Sequence, residues 1–361
     1  MSDLDLLHSE TEEDLRASVR ALLGDHCDPV AVTRMYDGDR FAVDGLWKAL
    51  TDLGLPGLLV PEERGGQGAS AREAAVVLEE LGRTVAPVPF LTSAVIATTV
   101  LLESDSDLLA AVAGGERTAV LLVPWSIAAT DDLPRIRSDD GVLTGTVTSV
   151  AGALEADLLL VPVASGDGLA VHAVDASDAG VTPLVSLDMT RQLADVVLDG
   201  AVGTLVLDDA AHAVRRAIDA GAALLASEQV GIARWCLETT LAHVKVRKQF
   251  GRPIGGFQAI KHRLADLYTG VESATAAARY AAATLAEGDP DATIATSTAQ
   301  AFNADLAVLA AEEALQLHAG IGMTWEHPVH LYLKRAKADQ IALGRSGQHR
   351  ARLATLIGLP G

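Results

Sequence analysis

Positive charge and cysteine are both scarce in this chain. Of its 361 residues, 28 are Lys or Arg against 48 Asp or Glu, a formal net charge of −20 at neutral pH. Affinity for a phosphate backbone needs clustered cations, so a general nucleic-acid binder is excluded. The only cysteines, Cys27 and Cys236, have no CxxC spacing. That excludes a disulfide framework and a cysteine-based zinc cluster; both read as core thiols, and no metal site is expected. No uninterrupted apolar stretch reaches the roughly 18 residues that a membrane-crossing helix needs. The acidic start, MSDLDLLHSETEEDL, lacks the basic-then-apolar order of a secretory signal. The expectation is a soluble, cytoplasmic protein with neither a nucleic-acid nor a membrane partner.

What is present is enough apolar material to fold. Hydrophobic residues make up 49% and charged ones 21%, a balance that excludes wholesale disorder. The length allows two or three domains. Ser9 precedes Glu12 at capping-box spacing, and Leu15, Val19, Leu22 and Leu23 then recur at helical intervals. Helical patterns continue through Trp47, Leu50 and Leu53 and through residues 71–81, until APVPF at 86–90 breaks them with two prolines. From about Thr118 the pattern changes to short runs (AVLLVP, GVLTGTVTSV, ADLLLVPV, LAVHAV, ADVVLDG) separated by Asp, Gly or Pro turns. Long Ala- and Leu-rich helical patterns return from Ala210, over 217–246, 257–287, 291–318 and 328–344. The fold class is therefore α+β in three parts: an N-terminal helical domain (1–117), a middle β-barrel or sandwich (118–208) and a C-terminal four-helix bundle (209–361). There is no internal repeat and no low-complexity linker.

Two stretches interrupt the C-terminal helices. Residues 247–258, RKQFGRPIGGFQ, bring cations, an amide, aromatic rings and three glycines together on an otherwise acidic protein. Guanidinium and amide donors beside exposed backbone N–H groups suit a phosphate, and a ring can cover a flat heterocycle. Residues 316–328, QLHAGIGMTWEHP, form a second glycine-bearing break.

With the domain order, these stretches resemble the acyl-CoA dehydrogenase family, as does GLPGLLVPEERGGQG at 54–68. The resemblance spans nearly the whole chain, strong in the C-terminal part and weak in the β-domain. It implies a flavoprotein that oxidises an acyl-CoA thioester to the 2,3-enoyl-CoA: a carboxylate takes the α-proton while hydride leaves the β-carbon for the flavin. It also implies dimers, or dimers of dimers, with FAD at the subunit boundary. Arg247, Gln249 and Phe250 match positions contacting the diphosphate and adenosine of a neighbouring subunit's FAD. Gln316 and Gly320 match a second such contact, Gly322 shapes that loop, and Phe257 and Gln258 match a further pair near the cofactor.

The rest of the family pattern is missing. The usual catalytic Glu sits in a short motif, aromatic-Glu-Gly-Thr, and Leu343 stands at its place here. The alternative position of the base in some members corresponds to about Gly221, again without a carboxylate. Glu228, seven residues on, is two turns or about 10 Å away along a helix, and reads as a structural carboxylate more readily than as a relocated base. In the β-domain the family's Thr-Glu-Pro, Gly-Ser-Asp and Trp-Ile-Thr segments give way to VPWSIAAT (123–130) and TVTSVAGALEAD (146–157). Retained contacts to a neighbour's FAD, with a lost grip on its own, resemble the non-catalytic partner in heteromeric, steroid side-chain type acyl-CoA dehydrogenases. The expectation is thus an α2β2 complex with a second dehydrogenase-like subunit. The alternatives are a self-sufficient homomer using Glu228, or a flavin-free scaffold.

Overall fold

The computed structural model describes residues 4–39, 45–165 and 168–359; the first three residues of the acidic start lie outside them. The N-terminal part is helical: α1 (Glu10–His26), α2 (Pro29–Arg34), α3 (Leu46–Asp52), α4 (Ala71–Thr84), a π-helical stretch Phe90–Ala97 running into α5 (Thr98–Leu101), and α6 (Leu108–Ala113). The capping box at Ser9 is present: Glu12 N–H donates to the Ser9 hydroxyl, and Ser9 N–H donates to the Glu12 carboxylate. The Glu12 carboxylate also pairs with Arg72 on α4, so one side chain caps α1 and docks it.

The middle part is a sandwich of two four-stranded sheets. Its strands are β1 (Ala119–Leu121), β2 (Arg137–Asp139), β3 (Val142–Ala151), β4 (Leu158–Ser165), β5 (Gly168–Asp175), β6 (Gly180–Pro183), β7 (Leu193–Val202) and β8 (Thr204–Leu207). The sheet orders are β1-β4-β5-β8 and β2-β3-β7-β6. Their facing side chains, among them Val120, Leu122, Leu159, Val161, Leu143, Val147, Val196 and Leu198, form a core of their own. The opposite side chains of β1 and β4 (Ala119, Leu121, Leu158, Leu160) join the helical core instead. The first sheet is buried on both faces, which is why β4 reads as an unbroken apolar run while β3 alternates.

The C-terminal part contains α7 (Ala211–Val246), a hairpin of β9 (Lys248–Gln249) and β10 (Arg252–Pro253), α8 (Gln258–Ala286), α9 (Ala292–His318), α10 (Val329–Asp339) and α11 (Ser346–Leu356). The last of these is a fifth helix beyond the four patterns read from the sequence. It is tied down by ion pairs of Arg350 with Asp305 and of Arg352 with Asp219. At 36 residues, α7 is the spine of the molecule, about 54 Å long at 1.5 Å per residue. Its contact with α4 is backbone against backbone. A Cβ on Gly82 would lie 2.2 Å from the Glu228 carbonyl, and one on Gly231 would lie 2.0 Å from that of Glu79. Cys27 and Cys236 are buried and unpaired. No described helix is long and apolar enough to cross a membrane.

Candidate functional site

The hairpin after α7 closes with Arg252 opposite Gln249. Its two central residues, Phe250 and Gly251, have φ of 50° and 75°, the left-handed pair that a tight two-residue hairpin turn requires. Glycine adopts this readily; Phe250 does so at a cost, and its side chain is 92% exposed. An exposed aromatic ring held in a strained backbone is what a contact surface needs and what a solvated loop avoids. Behind it, the Arg252 guanidinium lies 4.0 Å from the Phe257 ring centroid. Phe257 N-caps α8, at whose start Gln258 is exposed. Arg247 and Lys248 are exposed and form no ion pair among the described residues.

The second loop begins where α9 ends. Ala319 takes φ 53°, ψ −133°, a conformation that L-residues rarely adopt. Gly320 has open space where a Cβ would be; at Gly322 a Cβ would meet the Leu315 carbonyl at 2.9 Å. Glycine is thus required at 322 for packing, while 320 leaves its backbone accessible. Gln316 is exposed, as are Ile321, Met323 (77%) and Trp325 (62%).

Three imidazoles bring the two loops together at one end of the helical domain. The rings of His243 on α7 and His318 at the end of α9 are 4.5 Å apart, and those of His318 and His327 are 4.3 Å apart. Burial and the neighbouring histidines hold His327 down to about 4, and burial, His318 and Arg247 lower His243. Both rings are therefore neutral near neutral pH, and each packs at a tilt against His318. The phosphate-suited donors Arg247, Gln249, Gln316 and the Gly320 backbone all belong to loops that meet through this stack. They fit the phosphate-bearing half of FAD.

The flavin ring is a different matter. Leu343 (2% exposed) has φ 50°, and its N–H donates to the Trp125 carbonyl at 2.9 Å, stitching the α10–α11 connection to the β-domain. A Cβ on Gly221 would lie 2.7 Å from Ile96 Cγ1 and 3.1 Å from Leu343 Cδ1. No side chain of any length can stand at 221 without moving Ile96. Thr92, Ile96, Pro124, Trp125, Ile218 and Leu343 leave a void of about 20 Å³ among them, room for a water molecule but far from the several hundred Å³ of a cofactor pocket. A three-ring isoalloxazine does not fit this space.

Glu228 lies outside the residues lining that void, in a charge cluster that is buried except for the edge of Arg191 and whose makeup the sequence did not disclose. Arg191 grips both Glu228 oxygens at 2.6 and 2.8 Å and reaches Asp339 at 2.6 Å. Arg335 donates to Asp188, Glu228 and Thr190 at 2.5, 2.6 and 2.7 Å. Burial alone would raise the Glu228 pKa, but Arg191 and Arg335 bring it below the ordinary carboxylate range. An ionised carboxylate held by two guanidiniums is a poor proton acceptor. Asp339 goes the other way: burial first, then the Glu228 charge, push it well up. Arg191 also lies 5.0 Å from the Trp125 ring centroid, so the cluster braces the filled cleft.

Comparison with known proteins adds the following. Residues 9–106 match the family described as "Acyl-CoA dehydrogenase, N-terminal domain", and residues 209–357 match "Acyl-CoA dehydrogenase, C-terminal domain". Acyl-CoA dehydrogenase IpdE2 of Mycolicibacterium smegmatis is 36% identical over 346 residues, covering 96% of this chain and 98% of the relative. Among solved structures, the ChsE4-ChsE5 complex from Mycobacterium tuberculosis superposes with a TM-score of 0.87 at 28% identity, over 99% of this chain and 100% of that one. The Tcur3481-Tcur3483 steroid ACAD gives a TM-score of 0.85 at 27% identity, over 97% and 98% of the two chains.

Proposed function

Given that the chain belongs to the acyl-CoA dehydrogenase family, we propose that it is the subunit without a catalytic base in a cytoplasmic α2β2 enzyme, with FAD at the boundary between unlike subunits. The reaction is α,β-dehydrogenation of an acyl-CoA thioester to the 2,3-enoyl-CoA. The steroid description of one structural neighbour points to a bulky, steroid-derived acyl group. One observation carries the reading. Unpaired cationic donors and a strained, exposed Phe250 stand at the loop end of α7, while its middle faces a cleft filled by Trp125, Leu343 and Ile96.

The bound FAD would supply the hydride acceptor. This chain's contribution is to hold it. The Arg247 guanidinium would hold the phosphates, Gln249 and Gln316 would add amide donors, and the side-chain-free Gly320 would admit close backbone approach. Phe250 and Phe257, 6.2 Å apart and edge-to-face, would offer ring surface to the flat adenine. Leucine cannot accept a proton at any pH, so the α-proton passes to a carboxylate of the other subunit.

The competing homomeric reading needs Glu228 as base, and Glu228 is occupied by Arg191 and Arg335. A flavin-free scaffold would have no use for phosphate donors on two adjoining loops. The test is expression of this chain alone and together with a catalytic partner subunit. Flavin and turnover are expected in the complex only; a flavin-replete, active preparation of the chain by itself would refute the proposal.

A further inference from the structure

The loop of residues 319–325 has to be held against its own strain. Ala319 sits at φ 53°, ψ −133°, a strained conformation that persists only where the surroundings over-determine it. Upstream, His318 is fixed between His243 and His327, and its Nδ1 lies 2.7 Å from the Ala314 carbonyl. Downstream, the fastening is of a different kind. The Lys334 ammonium on α10 lies 3.9 Å from the Tyr36 ring centroid and 4.2 Å from that of Trp325. His330, one turn earlier on α10, meets both rings edge-on, at 4.6 Å from Trp325 and 6.2 Å from Tyr36.

Lys334 is thus a cation enclosed by aromatic faces from two directions. Tyr36 comes from the N-terminal helical part and Trp325 from the loop itself. Tyr36 is anchored in turn, its hydroxyl donating to Asp188 of the buried charge cluster at 3.3 Å. Trp325 nevertheless remains 62% exposed. One of its faces is clasped and the rest looks outward with Ile321 and Met323.

We infer that Lys334 is a positioning residue, which through Trp325 and Tyr36 fixes the 319–325 loop in the shape that presents Gly320, beside Gln316 at the end of α9, to the FAD shared with the partner subunit. The inference rests on the proposed function above. Its physical content is pre-organisation: a loop already rigid in the binding shape does not pay ordering entropy when the cofactor arrives. The Lys334 ammonium faces both rings at cation–π distance, so these contacts are of a size to matter.

The experiment measures FAD dissociation from the complex of this chain with its catalytic partner, for Lys334→Met, Lys334→Arg and Arg247→Ala. Lys334→Met keeps the length of the side chain and removes the cation; Lys334→Arg restores a cation that stacks on rings. The expected result is FAD binding weakened on the order of tenfold by Lys334→Met and restored to within about twofold by Lys334→Arg. A shift in the Trp325 emission, isolated by subtracting the Trp325→Phe spectrum, accompanies Lys334→Met and reports release of the clasp. Wild-type FAD affinity in Lys334→Met, or no rescue by Lys334→Arg, would overturn the inference. The parent reading fails separately, if Arg247→Ala leaves FAD binding unchanged. Weakening by Arg247→Ala alone would sink only the role of Lys334.

Discussion

Along one helix, α7, this protein treats charge in two opposite ways. In its middle, Glu228 is sealed from solvent and bonded to Arg191 and Arg335, so that its charge is met internally. At its end, Arg247 and Lys248 stand in solvent with no ion-pair partner among the described residues, beside a strained and exposed Phe250. The first arrangement completes a folded chain. The second waits for something outside it. On the function proposed above, the working surface has moved from the interior to the boundary.

The comparison can be broken first at the buried end. Replacing Arg335 by Met leaves Asp188, Glu228 and Asp339 with a single guanidinium. Because uncompensated buried charge is so costly, we expect a loss of about 3–5 kcal/mol in urea denaturation. A loss below 1 kcal/mol would mean that the cluster is not tightly desolvated. Next comes Leu343→Glu, which puts back the family's acid. It would enter an apolar space beside Ile96 and Trp125, stay protonated there, and cost about 1–3 kcal/mol. No turnover is expected from that variant alone, since the ring has no room; measurable dehydrogenase activity would show that the cleft opens.

At the boundary end the effects are smaller. His327 has a folded pKa of about 4 against an ordinary 6.5. The unfolded chain therefore binds its proton first as pH falls. The stability this ring contributes is complete above about pH 6.5 and is lost as the pH drops toward 4. Urea midpoints measured across that window should slope less in His327→Gln than in the parent. Smallest is Ala319→Gly. Relief of left-handed strain, set against extra freedom in the unfolded chain, predicts a gain of about 1 kcal/mol; a loss would mean that the methyl group is packed to purpose.

Much of this was readable in the sequence because it is local. The capping box at Ser9 and Glu12, the periodicity of the long helices and the glycine-bearing stretches at 247–258 and 316–328 all lie within a few residues of chain. The apolar runs for β1, β3, β4, β5 and β7 were also plain, whereas β2, β6 and β8 are short edge strands with mostly exposed residues and no periodic signal. The charge cluster was not legible: Asp188 and Arg335 are 147 positions apart, and nothing near either announces the other. Nor was the clasp around Lys334, whose rings come from residues 36 and 325. Leucine at 343 could be noticed as a missing acid, but only packing reveals that Ile96 and Trp125 close the space around it.

The most direct test of the asymmetry is the flavin stoichiometry of the purified complex between this chain and a catalytic partner, with and without Arg247→Ala in this chain only. We expect one FAD for each pair of unlike subunits, none on this chain in isolation, and a reduced content when Arg247 is replaced. Two FAD per pair, or a full complement on this chain by itself, would contradict the account.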